Sequence, residues 1–177
     1  VAYVCLHYVY MPAFFERLGE GIQTRPDTEN MEVFKDRSSV SSGTAYGAPV
    51  IESYNNHTIY EWRLKIVNMD PYSISIGIDD AECRSLNDNF TGRGKKTKNY
   101  GLIGAQGDLQ CLKGRRNHQY AKKLNDGDEV VMILNLKEKT LQYKVNETDY
   151  GVAFRDVHSA AGFKYRVAVR MWSGTCV

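Results

Sequence analysis

The sequence predicts an all-β domain built as a sandwich of antiparallel sheets. Apolar and polar residues alternate in most of its apolar runs, which is the two-residue period of a strand with one buried face. Turn signals separate these runs at intervals of about 8 to 12 residues, as is typical of sandwiches. At 177 residues, with no internal repeat or low-complexity linker, the chain predicts one substantial domain.

The first 32 residues fit this pattern least well, and we expect them to form an N-terminal extension that packs on the sandwich. Residues 33–177 are then the sandwich domain. The stretch "MPAFFERLGE" favours a short helix, because Pro12 stands early in it and Gly19 late. No apolar run is long enough to span a bilayer, so we expect no membrane contact.

Two runs in the first half predict strands with one buried face. In "IYEWRLKI" (59–66), every second residue from Tyr60 is apolar, and we expect Trp62 in the core. In "YSISIGI" (72–78), isoleucine recurs at every second position. The residues that these runs predict to point inward are Tyr60, Trp62, Leu64, Ile66, Ile74, Ile76 and Ile78.

The stretch "LNDGDEVVMILNLKEKTLQYKVNETDYGVAF" (124–154) predicts two strands and their turns. Gly127 lies between two aspartates in a turn, where Asp is expected for backbone reasons. The continuous apolar middle of 129–136 indicates burial on both faces, and a charged turn follows at 137–139. The next strand buries Leu141, Tyr143 and Val145. "YGVAF" then predicts a tight turn and a short apolar segment.

The last run, "YRVAVRMW" (165–172), predicts a strand with two different faces. One face is apolar and is expected in the core: Tyr165, Val167, Val169 and Met171. The other carries Arg166, Ala168, Arg170 and Trp172 and is expected to point away from the core. An exposed Trp beside Arg is typical of an interaction hot spot.

Residues 124–154 resemble the core signature of the SPRY (B30.2) domain family. That signature runs Gly-Asp, apolar strand, Leu-Asp, turn, Leu-x-Phe/Tyr, Asn-Gly and Gly-x-Ala-Phe. The resemblance continues in "GAPVIESYNNHTIYEWRLKI", "SISIGI" and "NYGLIGAQGDL", and it covers about residues 33 to 177. Asn135 stands where many members have Asp, and Asn146 to Asp149 replace the Asn-Gly turn.

The resemblance implies a bent antiparallel β-sandwich of the concanavalin-like jelly-roll type, with at most a short N-terminal helix. It also implies a non-catalytic module for protein binding, whose rim loops grip a short peptide or a protein loop. Many such domains select a substrate or partner within a larger protein, such as a ubiquitin-ligase adaptor or a scaffold.

A second resemblance points to the residues that would carry peptide recognition. "AVRMWSGTC" is similar to the Val-Trp-Gly-x-Cys stretch of the SPRY domains in SOCS-box adaptors, where the Trp lines a peptide pocket and an upstream loop adds to its wall. The matching loop is "KDRSSVSSGTAYG" (35–47). The predicted partner-binding residues are Arg37, Tyr46, Arg170 and Trp172. The alternative is that Trp172 packs beneath an outer sheet or the N-terminal extension.

An uneven charge distribution predicts a second candidate surface for nucleic acid or another anionic partner. Residues 93–123 contain nine basic residues and one acidic residue, and "RGKKTK" and "KGRRNH" lie on either side of the strand-like "NYGLIGA". We therefore expect the two clusters at opposite ends of a strand. The candidate residues are Arg93, Lys95, Lys96, Arg115 and Arg116. The alternative is a solvated basic surface that balances an acidic first half.

No pattern in the sequence predicts an enzyme, a metal site or a cofactor. Asp79 and Asp80 are adjacent in the chain, and we expect them in a solvated loop rather than as a catalytic pair. "TGRGKKTK" lacks the spacing of a phosphate-binding loop. The four cysteines form no C-x-x-C pair, and we expect reduced, structural thiols. They are Cys5, Cys83, Cys111 and Cys176.

The scattered thiols favour a cytoplasmic protein, and we expect the isolated domain to be monomeric. The first 15 residues contain no Lys or Arg and no cleavage pattern of a secretory signal. An extracellular location is the alternative, because Asn56, Asn89 and Asn146 each stand in an N-x-T sequon.

Overall fold

A computed structural model of the chain describes eleven segments, and every structural statement below refers to them. They are residues 8–10, 14–19, 22–26, 31–35, 43–48, 50–52, 59–67, 74–82, 99–111, 116–117 and 119–171. Within these segments the regular structure is β-strand, and no helix occurs. None of them therefore contains a helix that could cross a membrane.

The strands are numbered in chain order. They are β1 (Tyr8–Tyr10), β2 (Phe14–Leu18), β3 (Ile22–Pro26), β4 (Met31–Lys35), β5 (Gly43–Ala48), β6 (Ile51–Glu52), β7 (Ile59–Lys65), β8 (Ile74–Asp80), β9 (Tyr100–Ile103), β10 (Asp108–Cys111), β11 (Arg116–Asn117), β12 (Glu129–Asn135), β13 (Thr140–Val145), β14 (Thr148–Arg155) and β15 (Lys164–Met171).

The strands form two main sheets and one separate hairpin. The small sheet has the order β1-β7-β12-β13-β14, and the large sheet has the order β11-β10-β9-β8-β15-β5-β2, with β6 also paired to β15. Neighbouring strands are antiparallel except for β1, which runs parallel to β7. The hairpin consists of β3 and β4. This arrangement confirms the predicted antiparallel β-sandwich.

The hydrophobic core contains the side chains that the two-residue period predicted to point inward. Trp62 is 1% exposed, and the three isoleucines of β8 are fully buried. Apolar residues of β12, β13 and β15 join them in one cluster. The predicted core residues that the structure confirms are Tyr60, Trp62, Leu64, Ile66, Ile74, Ile76, Ile78, Leu141, Tyr143, Val145, Tyr165, Val167, Val169 and Met171.

Two local predictions are wrong. The helix expected in "MPAFFERLGE" is absent, because Phe14–Leu18 forms β2 and its pairing with β5 satisfies the backbone instead. The turn and short segment expected in "YGVAF" belong to the longer strand β14, whose register with β13 shifts between Gln142 and Lys144. Gly151 has φ +73° there, and glycine adopts this left-handed conformation without strain.

Part of the predicted N-terminal extension belongs to the sandwich. Strand β2 extends the large sheet beyond β5, and Ile22 of β3 is buried in the main core. The amide of Gly19 donates to the carbonyl oxygen of Thr44 at 3.0 Å, which fixes the connection between β2 and β3. The division of the chain at residue 33 remains a prediction.

The carboxylate of Asp128 joins three segments at one end of the small sheet. It accepts hydrogen bonds from Nζ of Lys122 at 2.6 Å, from the amide of Asn125 at 2.8 Å and from Nδ2 of Asn146 at 2.9 Å. Asp128 is only 6% exposed. This network explains the Gly127-Asp128 pair, because the turn directs the carboxylate at the β13–β14 turn and at the segment before β12.

We expect Asp128→Asn to lower the free energy of unfolding by about 2 kcal/mol at pH 7, because a buried, charge-assisted network loses its anion. Burial by itself raises the pKa of Asp128, but the hydrogen bonds from Lys122, Asn146 and Asn125 outweigh burial and lower it. The network therefore contributes fully above the unfolded pKa of about 3.9 and is lost as pH falls through the lower folded pKa.

Urea unfolding of the wild type and Asp128→Asn at pH 7 and at several values between pH 3 and 5 measures both effects. The difference between the two proteins should shrink as the pH falls. Glu147→Gln is the control, because it removes an exposed carboxylate from the neighbouring turn. A difference that stays constant down to pH 3 would contradict the role assigned to the ionised Asp128.

Candidate partner-binding surfaces

The large sheet has two ends that the strand register defines. At one end Met171 pairs with Gly43 of β5 and with Ile74 of β8, and we call this the Met171 end. At the other end Tyr165 pairs with Ile51 and Asp80, and we call this the Tyr165 end. Each candidate surface predicted from the sequence can be assigned to one of these ends by the strands that enter or leave there.

The predicted peptide-binding residues belong to segments that meet the sheet at the Met171 end. Of the predicted loop 35–47, Lys35 belongs to β4 and residues 43–47 belong to β5. The chain enters β5 at Gly43 and leaves β15 after Met171, and these two residues are register partners. Arg37 and Trp172 themselves lie outside the described residues. The pairing brings the start of β5 and the end of β15 together.

Tyr46 and Arg170, the other two predicted contact residues, are buried. Tyr46 is 1% exposed and Arg170 is 8% exposed, and Ala168, which pairs with Tyr46 and stands two residues before Arg170, is fully buried. This face of β15 points away from the main core, as expected, but Ala168 and Arg170 on it are buried rather than exposed. Alternation identified the face correctly, but this outer face of the large sheet is itself covered.

A hydrogen bond across β15 explains the burial of Tyr46. The hydroxyl of Tyr46 on β5 donates to Oδ2 of Asp79 on β8 at 2.9 Å. Strand β15 lies between these strands, and Ala168 is the register partner of Tyr46 and packs against it. The small Ala168 side chain leaves room for the tyrosine to reach across the strand. The contact ties three neighbouring strands together on the outer face.

Asp79 and Asp80 lie at the end of β8, so the prediction of a solvated loop is wrong. Asp79 is fully buried, and its Oδ1 accepts the amide of Asp80 at 2.8 Å. The two side chains are on opposite faces, as expected for adjacent strand residues. The side chain of Asp79 is held by Tyr46 and has a structural role within the sheet.

Arg170 places a positive charge in the same layer. Burial lowers the pKa of Arg170 to about 10, and the nearby Tyr46 raises it slightly in return. The guanidinium thus stays protonated at neutral pH. Arg166 is the register partner of Asp79 and is half-buried. The outer face of β15 therefore carries two arginines beside one buried aspartate.

The described strands connect the two basic clusters to the same end of a sheet, whereas the sequence predicted opposite strand ends. The segment 100–111 contains two strands, because β9 turns back as β10 and Cys111 pairs with Tyr100. The start of β9 and the end of β10 therefore lie side by side. Residues 83–98 precede the first, and residues 112–115 follow the second. These two strand ends belong to the Tyr165 end, because Tyr100 pairs with Ile78.

The second strand of this hairpin, β10, was not predicted from the sequence because it is short and largely polar. Gly107 has φ +71°, and a Cβ atom there would lie 1.9 Å from the carbonyl oxygen of Ala121. Arg116 lies in β11, paired with Gln110, whereas Arg93, Lys95, Lys96 and Arg115 lie outside the described residues. Both basic clusters are nevertheless connected to the same end of the hairpin.

Within the described segments, no three His, Cys, Asp or Glu side chains are grouped so that they could hold a metal ion. The three buried aspartates of these segments make structural contacts: Asp79 with Tyr46, Asp128 with Lys122, and Asp108 with the amide of Gln119 at 3.0 Å.

Comparison with known proteins identifies the fold and the family. The family model described as "SPRY domain" matches residues 59–176. The crystal structure of the SPRY domain of human HERC1 superposes with a TM-score of 0.65 at 18% identity, covering 92% of this chain and 94% of that one. The TRIM65 PSpry domain gives a TM-score of 0.67 at 14% identity, covering 94% and 88%. No curated protein sequence matches the chain.

We expect Tyr46→Phe to lower the free energy of unfolding by about 1 to 2 kcal/mol, because Asp79 loses a buried hydrogen-bond donor. Tyr60→Phe is the control: Tyr60 is also a buried tyrosine, and its hydroxyl makes no hydrogen bond within the described residues. Urea unfolding of Tyr46→Phe, Asp79→Asn and the double variant measures the coupling. Strictly additive effects of the two substitutions would contradict a direct Tyr46–Asp79 interaction.

Proposed function

This chain belongs to the SPRY domain family, and from that premise we propose that it binds a short peptide or a protein loop of a partner at the Met171 end. Domains of this family are generally protein–protein interaction modules. The observation that carries the proposal is the pairing of Gly43 with Met171. It connects the predicted recognition loop 35–47 and Trp172 to neighbouring positions at one end of the sheet.

The chemistry of the proposed surface suits protein recognition. Trp172 and Arg37 are residue types enriched in binding hot spots, where the ring supplies apolar area and the guanidinium supplies charge-assisted hydrogen bonds. Tyr46 and Arg170, the other two predicted contact residues, have a supporting role in this proposal, since both are buried. They hold the strands from which the contact residues extend.

We further propose that the domain selects a target for a larger cytoplasmic protein, such as a ubiquitin-ligase adaptor or a scaffold. The similarity of "AVRMWSGTC" to the SPRY domains of SOCS-box adaptors supports this role. A recognition module needs no chemistry of its own, which fits aspartates that are held in structural hydrogen bonds.

We expect Trp172→Ala to reduce partner binding at least tenfold, because truncation of a hot-spot Trp costs about 2 kcal/mol or more. Affinity purification with mass spectrometry identifies partners of the wild type, and titration of the leading partner measures the loss. Arg63→Ala is the control, because Arg63 is exposed on the small sheet. A variant that keeps both its thermal midpoint and its affinity for the partner would refute this assignment of Trp172.

A second candidate function is the binding of an anionic partner at the Tyr165 end. The observation that favours it is the β9–β10 hairpin, which connects residues 83–98 and 112–115 to one end of the sheet. The basic residues on these segments include Arg93, Lys95, Lys96 and Arg115. Lysine and arginine that neutralise phosphates give affinity with little sequence specificity.

If nucleic acid is the partner, affinity should fall by more than about tenfold between 50 and 200 mM salt. Reversing charge at Arg115 and Arg116 should weaken binding further, whereas Trp172→Ala should leave it unchanged, since that residue follows the opposite end of the sheet. Gel-shift titrations with single- and double-stranded RNA and DNA measure these effects. If none of these nucleic acids is shifted at low salt, a nucleic acid is excluded as the partner. An acidic protein is then the partner class to be tested.

A further inference from the structure

Asn146 begins the short turn between β13 and β14, where Val145 and Thr148 are register partners. It is exposed and has φ +54°, a left-handed conformation that asparagine tolerates better than most residues. It is also the acceptor residue of the sequon Asn146-Glu147-Thr148. By exposure and sequence alone, this turn would be an N-glycosylation site in any secreted form of the chain.

The side-chain amide of Asn146 is engaged at both of its polar atoms. Nδ2, the atom to which a glycan is attached, donates to Oδ1 of Asp128 at 2.9 Å. Oδ1 accepts the amide of Glu129 at 2.9 Å, and the backbone amide of Asn146 donates to the carbonyl oxygen of Glu129 at 2.8 Å. Three hydrogen bonds thus fasten the turn to the start of β12.

The carboxylate that receives Nδ2 is itself held in place. The same Oδ1 of Asp128 lies 2.6 Å from Nζ of Lys122, and Oδ2 accepts the amide of Asn125. The residue is almost completely buried. A glycan replaces one of the two N–H groups on Nδ2 and attaches a bulky polar ring at this contact. In the folded turn the acceptor nitrogen is therefore hydrogen-bonded to a fixed and buried carboxylate.

We infer that the Asn146 sequon is a structural element rather than a glycosylation site. Closure of the β13–β14 hairpin withdraws the acceptor nitrogen, and the native fold contains an unmodified amide at this position. The sequon pattern arises because asparagine fits the left-handed turn and a β-branched threonine suits the first position of β14. The assignment concerns the fold alone and holds in whichever compartment the protein occurs.

Expression of the full chain behind a secretory signal peptide tests the inference, with each sequon mapped separately by peptide mass spectrometry. Folded wild-type protein should carry no glycan at Asn146. Met132→Asp places a charge at a fully buried position, so the β13–β14 hairpin should not form in this variant. The variant should then be glycosylated at Asn146. A glycan at Asn146 of folded protein overturns the inference. An unmodified Asn146 in both chains also overturns it, because the sequence and not the fold would then prevent modification.

Two matched variants test the structural role independently of any glycan. Thr148→Val removes the sequon but keeps the Asn146 amide and the branched side chain, so the thermal midpoint should be unchanged. Asn146→Asp keeps the shape but places a second carboxylate against Asp128, and the midpoint should fall by about 5 °C. A midpoint for Asn146→Asp equal to that of the wild type overturns the assignment of Asn146 as a structural residue.

Discussion

Strand β15 is the element on which the geometry of the large sheet depends. It pairs along seven successive residues with β8 on one side, and with β5 and β6 on the other. Its inner face supplies Val167, Val169 and Met171 to the core, and its outer face carries Arg166 and Arg170 beside the buried Asp79. Because its neighbours are fixed by register, β15 also determines which loops share an end of the sheet. The two candidate surfaces follow from this one strand.

The hydrophobic interior could be predicted from the sequence because burial between two sheets leaves a two-residue period in the chain. The isoleucines of β8 and the apolar residues of β13 follow that period without interruption. The outer face of the large sheet could not be predicted in this way. Asp79 and Arg170 are polar and alternate with apolar residues, so they have the pattern of exposed positions. Asp79 is buried because Tyr46 lies across the strand, a contact between residues far apart in sequence.

Strand pairing also could not be predicted from the sequence where the strands are short or polar. The segment 100–111 contains one apolar stretch and one polar stretch, and only the left-handed Gly107 beside Ala121 indicates that the chain reverses between them. Because of this hairpin, the two basic segments connect to the same end of the large sheet and not to opposite ends. The segments of the peptide-binding proposal and those of the anion-binding proposal are then connected to opposite ends of one sheet.

The pairing of β5 with β15 also has a consequence for how the chain is assembled. Strand β5 is synthesised early, but the strand that covers one of its edges follows more than a hundred residues later. By contrast, β12, β13 and β14 are consecutive and pair with their nearest neighbours in the chain. Local pairing of this kind closes short loops and forms quickly, whereas distant pairing is slow. The meander of the small sheet therefore needs only local pairing, whereas one edge of β5 stays open until Lys164–Met171 has been synthesised.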